Sequence, residues 1–255
     1  MLASLSHLTA SFVVLGLIFW PLERAFPAKI GQRIFRPEWL TDLCYFLGQY
    51  LVWGTAVLWF LTTVEWYVNL IVPENFRELV ASQPYWIQAF EVILLGDFLI
   101  YWMHRLQHRV EILWRFHSVH HSAEHLDWVA AHREHPVDGL VTQLIVNAPA
   151  FILGFPISTL AWLVVFRGLW ALFIHSNVRL PLGPLRLVVG SPELHHWHHA
   201  RVGSDCNYAN LSPLMDLLFG TYRYPNEEPA SLGLTGEYPR GYLKQLCYPF
   251  RRRKR

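Results

Sequence analysis

Four long apolar stretches dominate the chain. Residues 2–21 and 40–62 are each long enough to cross about 30 Å of hydrocarbon as a helix, and a third stretch runs from Trp86 to Met103. Residues 140–174 form one extended apolar run, broken at Gly154 and Pro156, which predicts a helical hairpin. Its arms are short, so it reads either as two tilted spans or as a pair that does not fully cross. Both versions return the chain to the side it left. The first stretch lacks a basic leading region and a small-residue cleavage site, and is read as a retained span rather than a signal peptide. The expected fold is all-α: a polytopic transmembrane helical protein, with about four to five spans or a hairpin among them, carrying a helical cap.

Charges between the stretches orient them. Residues 22–38 carry Arg24, Lys29, Arg33 and Arg36, whereas residues 63–85 carry Glu65, Glu74, Glu78 and only Arg77. The positive-inside rule places the first loop in the cytoplasm and the second outside. The third span then delivers His104 to the cytoplasm, and the hairpin returns there with the later histidines and the basic C-terminus, Arg251 to Arg255. That terminal run reads equally as an anchor to anionic lipid or as a solvated end. One domain is expected: N-terminal spans over 1–85, a histidine-rich region over 86–225 and a cytoplasmic tail over 226–255.

Composition agrees. Only 16% of the 255 residues are charged, against about a quarter in soluble domains, and 12 Trp and 11 Tyr suit the headgroup region. A net charge of +2 with no broad basic face argues against a nucleic-acid partner. The three cysteines, Cys44, Cys206 and Cys247, are too scattered for a disulfide framework or a Cys-x-x-Cys zinc site.

The histidines change the picture most. Of 14, all but His7 fall between His104 and His199. His104 and His108 are four apart, hence on one helix face and one turn apart, where two imidazoles can reach one metal. His117-Ser-Val-His120-His121 follows, and His195-His-Trp-His198-His199 repeats its offsets. Eight imidazoles exceed what one ion uses, so a two-metal site is the economical reading. Imidazole alone suits zinc, copper, iron and nickel alike. His132-Arg-Glu-His135 is not the zinc-protease motif, and no pair of Glu-x-x-His motifs marks a carboxylate di-iron bundle.

The ordered set of motifs resembles the fatty acid hydroxylase and sterol desaturase superfamily. It comprises Asp97-Phe-x-x-Tyr101-Trp-x-His104-Arg-x-x-His108, Leu113-Trp-x-x-His117-x-x-His120-His121-Ser122, Arg133-x-His135-Pro136 and His175-Ser-Asn177, then His195-x-x-His198-His199, Asn207-Tyr208 and Asp216-Leu-Leu-Phe-Gly220-Thr-Tyr222. Two positions depart from the family's habit: Met215 precedes Asp216 where Trp is common, and Ala171 stands where some hydroxylases have another histidine. The resemblance implies a non-haem enzyme with two Fe ions that uses O₂ and two external electrons on a C–H bond of a lipid, giving an alcohol, a cleaved ether or an alkene. It implies metal ligands at His104, His108, His117, His120, His121, His195, His198 and His199, a further one at His175, and His135 as a candidate tenth. His125, His132 and His196 fall outside the pattern and are expected to face solvent or to support.

Around this centre, Asp97 lies seven residues before His104 on the same helix face. Its carboxylate is placed to accept a ring N–H, or alternatively to pair with Arg105 or Arg115. Asn177, Asn207 and Asp216 are expected to orient ligands or to cap helices. With no haem, flavin or iron–sulfur motif, electrons would come from a separate redox protein, and a lipophilic substrate would enter sideways from the membrane. Two other functions fit a histidine-rich membrane protein: a zinc hydrolase on the same scaffold, and a metal carrier.

Overall fold

In the computed structural model, residues 2–155 and 157–251 are described; Pro156 and Arg252 to Arg255 lie outside the described residues. All elements longer than a turn are helices: α1 (Leu2–Ala25), α2 (Trp39–Gly48), α3 (Gly54–Ile71), α4 (Glu74–Ala81), α5 (Tyr85–Arg109), α6 (Glu111–His121), α7 (Pro136–Ile152), α8 (Ile157–His175), α9 (Pro192–His198), α10 (Leu214–Leu218) and α11 (Tyr242–Cys247). A π-helical turn, Gln49–Trp53, fuses α2 to α3.

Three segments are long and apolar enough to cross a membrane: Leu5–Ala25, Trp39–Ile71 and Tyr85–Arg109. Their apolar side chains point outward. Leu17, Trp59, Leu70 and Trp86 are exposed, and only 11% of the most apolar window of the α2–α3 helix is buried. A helix that is apolar all round yet faces outward is solvated by lipid. The α2–α3 helix continues nine residues beyond the expected end of the second stretch, because Glu65 and Asn69 do not interrupt its backbone bonding.

The hairpin forms from α7 and α8, both packed against α5. Its tip is Gly154, at φ +85°, where a Cβ would meet Cα of Arg77 at 3.0 Å. Only glycine combines that left-handed backbone with so close an approach. The tip therefore sits beside α4, at the opposite end of α5 from its histidines. Val68 of α3, Val92 of α5, Ala150 and Phe151 of α7 and Leu163 of α8 make the core between these helices.

A second core joins Leu8, Leu15 and Phe19 of α1 to Phe46, Trp128 and Leu172. Beside it runs a buried ionic chain. Arg36 grips both oxygens of Asp127, at 2.7 and 2.6 Å, and donates to Asp42 at 2.7 Å, while Asp42 also takes Nε of Arg133. Every member is paired on more than one side, the condition under which charges tolerate burial. The segment from residue 226 returns over the histidine region: Gly233 N donates to His199 O, Tyr238 hydroxyl lies 3.2 Å from Ser118 Oγ, and Gln245 is buried.

Candidate metal centre

Four chain segments deliver the histidines. The last turns of α5 present His104 and His108. An extended residue, Val110, breaks the helix, and α6 then turns back with His117, His120 and His121. The final residue of α8 is His175; α9 carries His195 and His198, with His199 at its C-terminus.

The rings sort into two groups, with nitrogens in each within 4.8 Å of one another: His104, His108, His117, His121 and His198 in one, His120, His175, His195 and His199 in the other. The two H-x-x-H-H motifs exchange members. The i, i+4 pair of α6, His117 and His121, goes to the first group and His120 to the second. The i, i+4 pair of α9, His195 and His199, goes to the second and His198 to the first. Rings at i and i+4 share a helix face, whereas i+3 is rotated to its side. Two uses of one motif thus fill two adjacent sites, in van der Waals contact where His121 stacks on His199 at 4.4 Å between centroids.

Hydrogen bonds fix which nitrogen is bare. Nδ1 of His104 donates to Tyr208 O at 2.8 Å, His120 to Arg133 O at 3.0 Å, His175 to Ala171 O and His198 to Cys206 O at 2.8 Å. A carbonyl can only accept, so in these four neutral rings Nε2 carries a lone pair and no hydrogen. His117 Nδ1 donates likewise to the carboxylate of Asp138 at 2.9 Å. Yet the bare Nε2 atoms of His120 and His175 lie 3.0 Å apart, and Nε2 of His104 and of His117 are buried without a hydrogen-bond partner.

At the His120–His175 contact no ring N–H is left to bridge the two nitrogens, since both rings spend theirs on carbonyls. Burial, followed by the neighbouring histidines, holds His117, His121, His195, His198 and His199 well below the usual histidine pKa, so they are neutral. Facing lone pairs repel unless a cation lies between them. The spacings fit one: ligands at right angles on an ion about 2.1 Å away stand about 3.0 Å apart. The closest Nε2 pairs measure 3.1 Å (His108–His121), 3.0 Å (His121–His198), 2.9 Å (His175–His195) and 3.1 Å (His195–His199).

Other expected residues fall at varied distances from this centre. Asp216 accepts from the backbone N–H of Tyr208 and Ala209 and from Thr221 Oγ1, holding the loop whose Tyr208 carbonyl anchors His104. Asn207, at φ +53°, ties Leu194 of α9 to Arg223. Asn177 binds the backbone of Lys29 in the loop after α1 rather than a ligand. Asp97 faces Arg167 of α8 and the backbone of Leu211 and Ser212, not a histidine, and its other expected partners are engaged with Tyr101 and Glu111. The guanidinium of Arg167 lies across Gly96, where any Cβ would overlap it, and donates to Ile93 O. His135 stands outside both groups: Nδ1 accepts from Val137 N and Nε2 donates to Leu246 O. His196 bridges Glu228 and Ser176 O, His132 contacts Gln49, and His125 is half-buried.

Sequence reasoning singles out neither Asp138 nor Gln107, which donates to it at 2.6 Å. Gln107 directly precedes His108, and Asp138 follows the Arg133-x-His135-Pro136 motif by two residues; these placements were the available signals. It also passes over the Asp127–Arg36–Asp42–Arg133 chain, which holds the carbonyl that anchors His120.

Comparison with known proteins adds a second line. The family model described as fatty acid hydroxylase matches residues 89–221, the span that contains every histidine of both groups. An ornithine lipid hydroxylase, OlsE, of Rhizobium tropici is 35% identical over 176 residues, 67% of this chain and 53% of that protein. Alkylglycerol monooxygenase of Homo sapiens is 35% identical over 175 residues, 66% of this chain and 38% of its own. A Delta(7)-sterol 5(6)-desaturase, ERG3A, of Gibberella zeae is 33% identical over 152 residues, 56% and 40% respectively. The matches thus span about half or less of the length of these curated relatives. No solved structure matches.

Proposed function

The chain belongs to the fatty acid hydroxylase family, and from that premise we propose that it is a membrane-bound non-haem di-iron oxidoreductase that hydroxylates or desaturates a C–H bond of a lipid. The observation that carries the reading is the pair of histidine groups with ring nitrogens converging to about 3 Å, built at the ends of membrane-length helices. His104, His108, His117, His121 and His198 would hold one ion, and His120, His175, His195 and His199 the other. Iron bound there would supply O₂ activation with two electrons from outside, chemistry that no side chain provides. For hydroxylation the balance is one C–H bond and O₂, with two electrons and two protons, giving one C–OH bond and water.

The chain's own part is positioning. Main-chain carbonyls take the Nδ1 protons of His104, His120, His175 and His198, and Asp138 that of His117, which aims these five Nε2 atoms inward and makes them stronger donors. Burial keeps the rings neutral and water out. The lipid reaches the centre sideways from the bilayer, in keeping with relatives named for ornithine lipid, alkylglycerol and sterol. The electron donor is a separate protein. By the charge of the loops, the centre and the C-terminus lie on the cytoplasmic side. Both histidine groups are without a carboxylate among the described residues, which disfavours a zinc hydrolase needing a general base at the metal. Such enclosed, many-ligand groups at helix ends also disfavour a carrier that must release its ion.

The test is to load the protein with iron in lipid nanodiscs and supply a reductant and isotopically labelled O₂. Mass spectrometry of the extracted lipid then reads the product. Gain of one labelled oxygen reports hydroxylation and loss of two hydrogens reports desaturation. A lipid unchanged across headgroup and chain classes, in protein carrying both ions, would overturn the proposal.

A further inference from the structure

Beside the metal centre, on the segment that leaves His175, lies a second and separate pocket. It has a volume of about 220 Å³ and is framed by Trp20 and the last turn of α1, the loop after it, Asp127 and Asn177. The loop is fixed there by backbone pairing: Ala28 N donates to Asn177 O, Arg179 N to Phe26 O, and the Asn177 amide brackets the backbone of Lys29. This gives Asn177, part of a motif that the metal centre does not use directly, a structural task as the wall of the pocket.

Charge on the lining is unbalanced. Two acids line it against three cations: Asp127 is gripped by Arg36, and Glu23 Oε1 accepts from the backbone of Trp128 and Asn177. Arg24, Lys29 and Arg33 also line the pocket, and none of them has an ion pair among the described residues. Three unpaired cations around a cavity the size of a small polar group form a site for an oxyanion.

The surroundings say where that oxyanion comes from. The pocket opens at the end of the membrane-length segment Leu5–Ala25, and the loop around it turns Ile30 (88% exposed) and Phe35 (74% exposed) outward. Exposed apolar side chains interleaved with Arg and Lys at a span end belong at the headgroup boundary, where lipid polar groups are concentrated. We propose that this pocket binds the anionic headgroup of a membrane lipid, with Arg24, Lys29 and Arg33 as its cationic rim.

The test uses the full chain reconstituted in phosphatidylcholine vesicles containing a minor fraction of phosphatidylglycerol. Lipid retained through detergent extraction is read by native mass spectrometry. Wild type retains phosphatidylglycerol over phosphatidylcholine, and retention weakens about fivefold for each cation removed in the series ending at Arg24→Gln/Lys29→Gln/Arg33→Gln. Lys244→Gln/Arg251→Gln removes two exposed basic residues outside the pocket and leaves retention unchanged; metal content and melting temperature check that each variant is folded. Equal losses in the two variants would mean diffuse attraction to anionic lipid and overturn the proposal, as would absence of enrichment in wild type. Displacement by inorganic phosphate would make this a free-anion site and overturn its assignment to lipid.

Discussion

His117 gives its Nδ1 proton to Asp138 across 2.9 Å, and the other oxygen of Asp138 accepts from Gln107 at 2.6 Å. One carboxylate of α7 thereby locks a ring of α6 to a side chain of α5, between two candidate ligands of the same helix turn. Among the described residues, five grouped histidines have an Nδ1 acceptor, and it is a main-chain carbonyl for four of them and a carboxylate for His117.

Asp138→Ala removes that anchor without touching a ligand. The His117 ring is then free to rotate and to change tautomer, and metal affinity falls about 10- to 100-fold. Competition against a chelator of known affinity measures it, with circular dichroism to show that the helices persist. Unchanged affinity would reduce Asp138 to a packing residue.

His135 separates motif from geometry. Its neighbours in sequence match the family pattern, yet both ring nitrogens are used, by Val137 N–H and Leu246 O. His135→Ala therefore keeps the full metal complement and loses about 1 kcal/mol of stability through the missing cap of α7. Elemental analysis and thermal unfolding on the same sample separate the two effects. Loss of one metal ion per chain from His135→Ala would make His135 a ligand after all.

These two residues show what the sequence could and could not reveal. Offsets of three and four are visible because they follow helix geometry, so the H-x-x-H-H clusters are legible in the sequence. Their division between two sites was not visible, since which side of α6 faces which ion depends on where α8 and α9 pack. Asp138 was hidden by an ordinary alternative: an acid in the first turn after a proline complements the helix dipole. The pattern along α5 offers Asp97 only local partners, whereas Arg167 arrives from a helix seventy residues later. The hairpin showed itself through Gly154. The return of residues 226–251 over the centre did not, because that segment carries no apolar period and is held by scattered contacts such as Tyr45 on Tyr242.

Acid should weaken the fold in part through His132. Its Nδ1 donates to Gln49 at 2.9 Å, the ring packs on Phe46, and burial pushes its pKa down from 6.5 to about 4. Above pH 6.5 the ring is neutral whether folded or unfolded. As pH falls from 6.5 towards 4 only the unfolded chain takes up the proton, so stability is lost across that window and levels off below it. His132→Gln removes this contribution, while the grouped histidines act alike in both proteins. Melting temperatures of the two proteins at equal metal loading should diverge in acid-side slope, with the variant shallower. Parallel slopes would contradict the assignment.

The central claim is that the two histidine groups are two metal sites, and metal content per chain tests it most directly. The measurement is elemental analysis of the full chain, purified gently in detergent and verified as folded. Two ions per chain are expected, one for each group, with iron giving the oxidoreductase reading its cofactor. Less than about half an ion per chain in folded protein, even after incubation with iron(II), would contradict the account, because the neutral, facing nitrogens would then have to be tolerated without the cation that their geometry requires.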